Sequence, residues 1–239
     1  MSPVQSPPAS NMPPSLPPRL ASAARGQTGQ DRDRRQATLA EVFPETVVDG
    51  AAPGFVIAHL PDATGPVLWI QDRLSLRESG RPYLAGMARP PEMYFLTVNR
   101  AVDVLWAMEQ GLGCTALSAV VGEVWGDPPA LDFTASKRLA LRSEAHAVPA
   151  WLIRRAARAD LSAARERWRL ASLPSLPEPD DMRAPGAPQW RAELFRARWR
   201  TPGSWVARYD HGDHALTFDH AVAATDDPNR QSRAAGALG

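Results

Sequence analysis

The sequence predicts an α/β protein: a mostly parallel sheet flanked by helices, followed by an antiparallel β extension, with disordered segments at both ends. Three observations carry this. Between residues 39 and 153, short bounded apolar runs alternate with helix-period stretches, the rhythm of parallel strands joined by crossover helices. From residue 162 to 218 four strand-like runs follow one another with only turn signals between them, the pattern of an appended antiparallel meander. Residues 1–36 and 221–239 carry too little apolar content to offset the entropy of ordering, and seven prolines fall within the first 18 residues.

Taken in order, residues 39–43 read as a short strand and 51–60 as a weak helix, with Pro53 tolerable only in its first turn. The runs VLWIQ (67–71) and MYFLTV (93–98) are buried strands. Asn99 is placed to cap a helix over 100–111, in which Ala101, Leu105, Met108 and Leu112 recur every three or four residues and Gly111 and Gly113 mark the end. LSAVV (117–121) is the third strand of this type. A helix capped by Thr134 runs to His146, and 148–153 is a strand around Pro149. Beyond it, 162–173, 189–200, 204–209 and 215–218 are the meander strands. The stretch 174–188 holds five prolines and reads as a mobile loop.

Charge is distributed unevenly around a formal total of +1. Residues 37–150 carry 8 cations and 13 acids, whereas 151–210 carry 12 cations and 7 acids, so an acidic half precedes a basic one. Lys137 is the only lysine among 27 cations, a bias that fits a GC-rich coding sequence. No apolar run reaches 18 residues, so no transmembrane helix is expected, and the opening is Pro- and Ser-rich rather than leader-like. Cys114 is the only cysteine, which excludes an internal disulfide and a CxxC metal site and suits a reducing cytoplasm.

Three long strings are idiosyncratic: GPVLWIQDRLSLRESGRPYLAG (65–86), AVDVLWAMEQGLGCTALSAVVGEVWGDPPALDFTASKRLAL (101–141) and APQWRAELFRARWRTPGSWV (187–206). They resemble the ImuA family, inducible-mutagenesis accessory proteins described as RecA-like and as SulA-like, over roughly residues 38–210. The resemblance implies a RecA-like domain over 37–220 between the two disordered tails. It also implies a cytoplasmic, non-enzymatic accessory role in damage-induced (SOS) mutagenic translesion DNA synthesis. Implied partners are an ImuB-like Y-family polymerase homologue, an error-prone replicative-type polymerase indirectly, and RecA or DNA; no membrane is involved. Two alternatives stay open: a SulA-like inhibitor binding the tubulin-like division GTPase, and a residual RecA-like ATPase.

A RecA-like ATPase needs GxxxxGK[ST] between its first strand and first helix, so that backbone N–H groups and a lysine hold the phosphates. Here that place reads FPETVVDGAA (43–52). Of the degenerate positions Pro44, Glu45, Asp49 and Gly50, only Gly50 fits, and Glu45 and Asp49 would repel a triphosphate. No cofactor is therefore expected. Gly122 stands where the resemblance would put a metal-binding Asp, and the adjacent Glu123 reads as a loop acid or, less favoured, as a metal or water ligand. Asp72 reads as a cap or an ion-pair partner. His211, His214 and His220 span a turn without a supporting cysteine, so no metal is expected. Ser204 lies in PGSW and forms no nucleophile elbow.

The basic segment supplies the candidate contact surface. Arg165, Arg167 and Arg169 alternate along one strand and share a face, Arg196, Arg198 and Arg200 repeat the pattern beside Trp199, and Arg154, Arg155 and Arg158 add to it. Such a face is either solvated or a contact for an acidic protein or for DNA phosphates. Of the last two the protein partner is preferred, because an adaptor without ATP chemistry has no evident way to cycle on and off DNA.

Overall fold

A computed structural model describes residues 37–61, 65–84, 87, 90–178, 180–181, 183–210 and 215–220. The segments 1–36 and 221–239, with His211 and His214, lie outside them. Strands β1 (Leu39–Pro44), β2 (Val67–Asp72), β3 (Met93–Val98), β4 (Ala119–Trp125), β5 (Ala150–Arg155), β6 (Glu166–Leu173), β7 (Gln189–Ala197), β8 (Gly203–Asp210) and β9 (Ala215–His220) form one nine-stranded sheet. Its order is β3-β2-β4-β5-β1-β6-β7-β8-β9. The five pairings from β3 to β6 are parallel and the three from β6 to β9 antiparallel. The chain is thus α/β with an antiparallel extension. One detail differs from the expectation: β6, read as a meander strand, pairs parallel with β1 and is the hinge between the two regimes.

Helices α1 (Ala51–His59), α2 (Arg73–Ser79), α3 (Ala101–Gly111) and α4 (Phe133–His146) connect the parallel strands. The strands inside the parallel portion are covered on both faces, and β1 and β5 are buried at every position. On one face, Phe55 of α1 packs edge-on against Trp151, Trp168 and Trp190. Edge-to-face pairs of this kind add about 0.5–1.5 kcal/mol each beyond area burial. On the other face, Val104, Leu105 and Met108 of α3 and Leu139 and Ala140 of α4 cover Ile70, Val120 and Leu152. Gly122 lies directly beneath the Met108 thioether, so a side chain at 122 would collide with α3.

Several local expectations are corrected. Asn99 does not cap α3; Arg100 occupies the cap position without a side-chain cap bond and pairs instead with Asp103 at 2.8 Å. α4 is capped by Asp132, which accepts from the Ala135 N–H at 2.7 Å, leaving Thr134 inside the helix. α2 escapes periodicity because it spans seven residues and buries only Ser75. Strand β4 continues through Trp125 and β5 through Arg155, so Glu123, Arg154 and Arg155 are strand residues. The Pro-rich connection is tied across its base: Leu176 N–H donates to Ala187 O at 3.1 Å and Gly186 N–H to Leu176 O at 2.8 Å.

Candidate functional site: the loop after the first strand and the arginine face

Residues 45–50 join β1 to α1 at the carboxyl end of the parallel sheet, where open α/β folds hold ligands. Their backbone is tied down from within. Arg155, at the end of β5 and only 2% exposed, donates from Nη1 to Val47 O at 2.7 Å and to Asp49 O at 3.1 Å. Its Nε donates to Glu123 Oε1. Glu123, 1% exposed on β4, also accepts from Gln71 Nε2 at 2.8 Å, and the same amide donates to Gly80 O at 2.8 Å. The network joins the ends of β2, β4 and β5 to the loop. It forms the floor of a cavity of about 250 Å³ walled by Pro53, Ile57, Pro82 and Tyr83. The reading of Glu123 as a loop acid is corrected: it is the buried counter-ion of Arg155.

The loop's own acids are also engaged. Asp49 accepts from Ala51 N–H at 2.9 Å and Ser172 N–H at 2.9 Å, and the Ser172 hydroxyl donates to it as well. Burial works against the charge on Asp49, but the Ser172 and Ala51 hydrogen bonds and the positive field of Arg155 outweigh it and hold the carboxyl below its usual range. Glu45 pairs with Arg191 at 2.6 Å, and its N–H donates to Leu170 O at 2.8 Å. Pro44 closes β1, and Gly50, at φ −71°, is the N-cap residue of α1 in ordinary right-handed geometry. A phosphate cradle requires converging N–H groups and a free cation. Here two carbonyls converge on a guanidinium already neutralised by a carboxylate.

Asp72 is the cap of α2, accepting from Ser75 N–H at 2.7 Å, and its second oxygen accepts from Trp125 N–H at 3.2 Å. Among the described residues no group of three or more His, Cys, Asp or Glu side chains is placed to hold a metal. No helix among them is long and apolar enough to cross a membrane. Ser204 is exposed on β8.

The five predicted arginines separate into three environments. Arg167 is 2% exposed and pairs with Glu41 at 2.7 Å, so it belongs to the interior and not to a contact face. The cause is that β6 is covered by β1 and β7 on its flanks and by the Phe43 and Phe195 rings, each about 5 Å from the guanidinium. Arg154 joins this cluster, 3.7 Å from Glu41 and 2.9 Å from Asp127. Arg165 and Arg169 are part-buried or exposed but paired, with Glu144 at 2.7 Å and Glu193 at 3.1 Å. Arg196 and Arg198 are exposed, and among the described residues neither has an acidic partner. Arg198 instead approaches the ring of Trp199, which with Trp106 is one of two largely exposed tryptophans. Sequence reasoning missed Gln71 and Glu41, and it placed Arg154 and Arg155 on the basic surface, whereas both are buried ion-pair partners. The available signal was an acid or arginine directly continuing an apolar strand run, which in a doubly covered strand is a buried position.

No family model matches the chain. Two curated proteins, each named Protein ImuA, from Caulobacter vibrioides strains NA1000 / CB15N and ATCC 19089 / CIP 103742 / CB 15, are 31% identical to it over 201 residues. Each alignment takes in 74% of this chain and 79% of the relative. With so large a share of both partners aligned at that identity, the chain belongs to the ImuA family.

Proposed function

We propose that the protein is a non-catalytic accessory of damage-induced, SOS-type mutagenic translesion DNA synthesis in the cytoplasm. It acts by binding an ImuB-like Y-family polymerase homologue and, through it, serves an error-prone replicative-type polymerase. Family membership supports the setting. The succession of β1, loop, α1, further strand–helix units and an antiparallel extension supports a RecA-like core, with the folded body over 37–220. The observation that carries the non-catalytic reading is Arg155: it fills the space behind the β1–α1 loop and turns two loop carbonyls inward. ATP offered to this loop meets the held charge of Asp49, and residues 43–52 supply no lysine or arginine. Each such like charge costs on the order of 1 kcal/mol or more at an effective dielectric near 20.

The test has two arms. Titration calorimetry with ATP and Mg²⁺ gives no binding in the micromolar range, and micromolar affinity refutes the pseudo-ATPase reading. Deleting the gene abolishes damage-induced mutagenesis, and the protein co-purifies with its ImuB-like partner. Filamentation on overexpression without DNA damage, with mutagenesis intact in the deletion, replaces this reading with the division inhibitor.

A further inference from the structure

The side of β6, β7 and β8 opposite α1 carries an arginine surface whose charge is almost entirely spent internally. α1 packs against β6 and β9 on one side, while α3 and α4 lie over β2, β4, β5 and β1. Along β7, Trp190, Ala192 and Leu194 point into the α1-side core. At the next turn the register shifts: Arg167 of β6 faces Arg196, and Trp168 faces Leu194, so Phe195 is an extra residue. Ala197 then packs against the core, which sets Arg196 on the opposite side, and Arg198 follows as the first residue after β7. Without this bulge Arg196 would fall in the phase of the core residues.

On that side Arg169 is neutralised by Glu193, Arg191 by Glu45 and Arg208 by Asp219. Among the described residues of this face the uncompensated charge is confined to Arg196, near the end of β7, and Arg198, the first residue after it. Directly after them, at the β7–β8 turn, Trp199 is 53% exposed. A large acidic protein surface would have to break the existing ion pairs to use the rest of the face. Two adjacent cations beside one open indole instead match a short run of backbone phosphates with one base stacked on the ring, the layout of sequence-tolerant single-strand sites. The geometry points to the Arg196–Arg198–Trp199 corner as a contact for single-stranded DNA. The choice of DNA rests on the proposed role in translesion synthesis; the cation–aromatic corner does not.

The test uses the full chain and a labelled oligo(dT) of about 15 nucleotides, followed by anisotropy across a salt series. The wild type binds at low salt. Trp199→Ala weakens binding about tenfold, and Trp199→Phe restores most of it. Arg196→Ala and Arg198→Ala each flatten the log–log salt slope by about 0.7. Arg191→Ala, which removes an already paired cation, leaves both readouts close to wild type. Unchanged thermal melting shows that each variant is folded. Absence of wild-type binding, equal binding by Trp199→Ala, or preference for oligo(U) over oligo(dT) overturns the proposal. So does a set of variants that keep oligo(dT) but lose the ImuB-like partner, which makes the corner a protein contact. Loss of partner co-purification by the wild type with oligo(dT) binding intact defeats the accessory reading and leaves this one standing.

Discussion

Replacing Arg155 by alanine tests the loop architecture. The substitution leaves Glu123 buried at 1% exposure with Gln71 and the Ser79 hydroxyl as its remaining donors, and strips Val47 O and Asp49 O of theirs. Breaking one side of a buried ion pair costs roughly 3–5 kcal/mol. For a folded body of this size that lowers Tm by roughly 6–20 °C. Arg155→Met combined with Glu123→Leu removes both charges at similar volume and recovers most of the loss. A deficit of about 1–3 kcal/mol remains, set by the loop carbonyls left without a donor. Urea unfolding followed by tryptophan fluorescence reads both, since Trp151 and Trp168 sit in the adjacent core. A loss below about 1 kcal/mol for the single variant, or a double variant no more stable than Arg155→Ala, refutes the view that this pair holds the loop.

Gly122→Asp, which puts an acid in the middle of β4, destabilises by about 1–3 kcal/mol through collision with Met108 and creates no Mg²⁺-dependent stabilisation in thermal melts. Against the effect of burial, the Ser172 and Ala51 hydrogen bonds hold the Asp49 carboxyl below the usual carboxylate range, so its contribution to stability is complete above the unfolded pKa and is lost as pH falls through the folded one. Asp49→Asn therefore has a flatter stability profile below about pH 4 than the wild type, measured by urea midpoints across pH. Ser172→Ala moves the profile in the same direction by a smaller amount. Removing residues 1–36 and 221–239 leaves cooperative thermal unfolding of the remaining body intact, by calorimetry, because their composition offers no core.

Strands with bounded apolar runs were legible in the sequence because burial on both faces demands continuous apolar residues, as VLWIQ does on β2. MYFLTV falls on β3, but its reading as a buried strand is corrected: β3 is the edge of the sheet, and Tyr94 and Leu96 are exposed. The carboxyl ends of β4 and β5 were not, since Gly122, Glu123, Arg154 and Arg155 interrupt the apolar pattern while remaining in the ladder. The three charged residues are held by partners 27 or more residues away, Arg154 by Asp127 and Glu123 by Arg155, and no local window contains those pairings. The same blindness made the arginine segment look like one open face. Alternation correctly gave Arg165, Arg167 and Arg169 a common side, but exposure is decided by β1 and by acids on other elements. The β7 bulge that orients Arg196 has no turn residue to announce it.

The position of β1 between β5 and β6 bears on how the chain is made. Among the described strands this one is synthesised first, yet Leu39 waits for Ala150 and Ala40 for Glu166. Its pairing partners lie more than a hundred residues downstream, a separation that slows folding and prolongs exposure of a bare strand. Glu41, wholly buried at the end, is then an ionised residue in the middle of LAEVFP, the kind of charge that keeps a waiting apolar strand from pairing with its neighbours on a polysome. Arg167 arrives with β6 and ends that wait, so one carboxylate serves first as a guard against aggregation and afterwards as the latch between the two halves of the sheet.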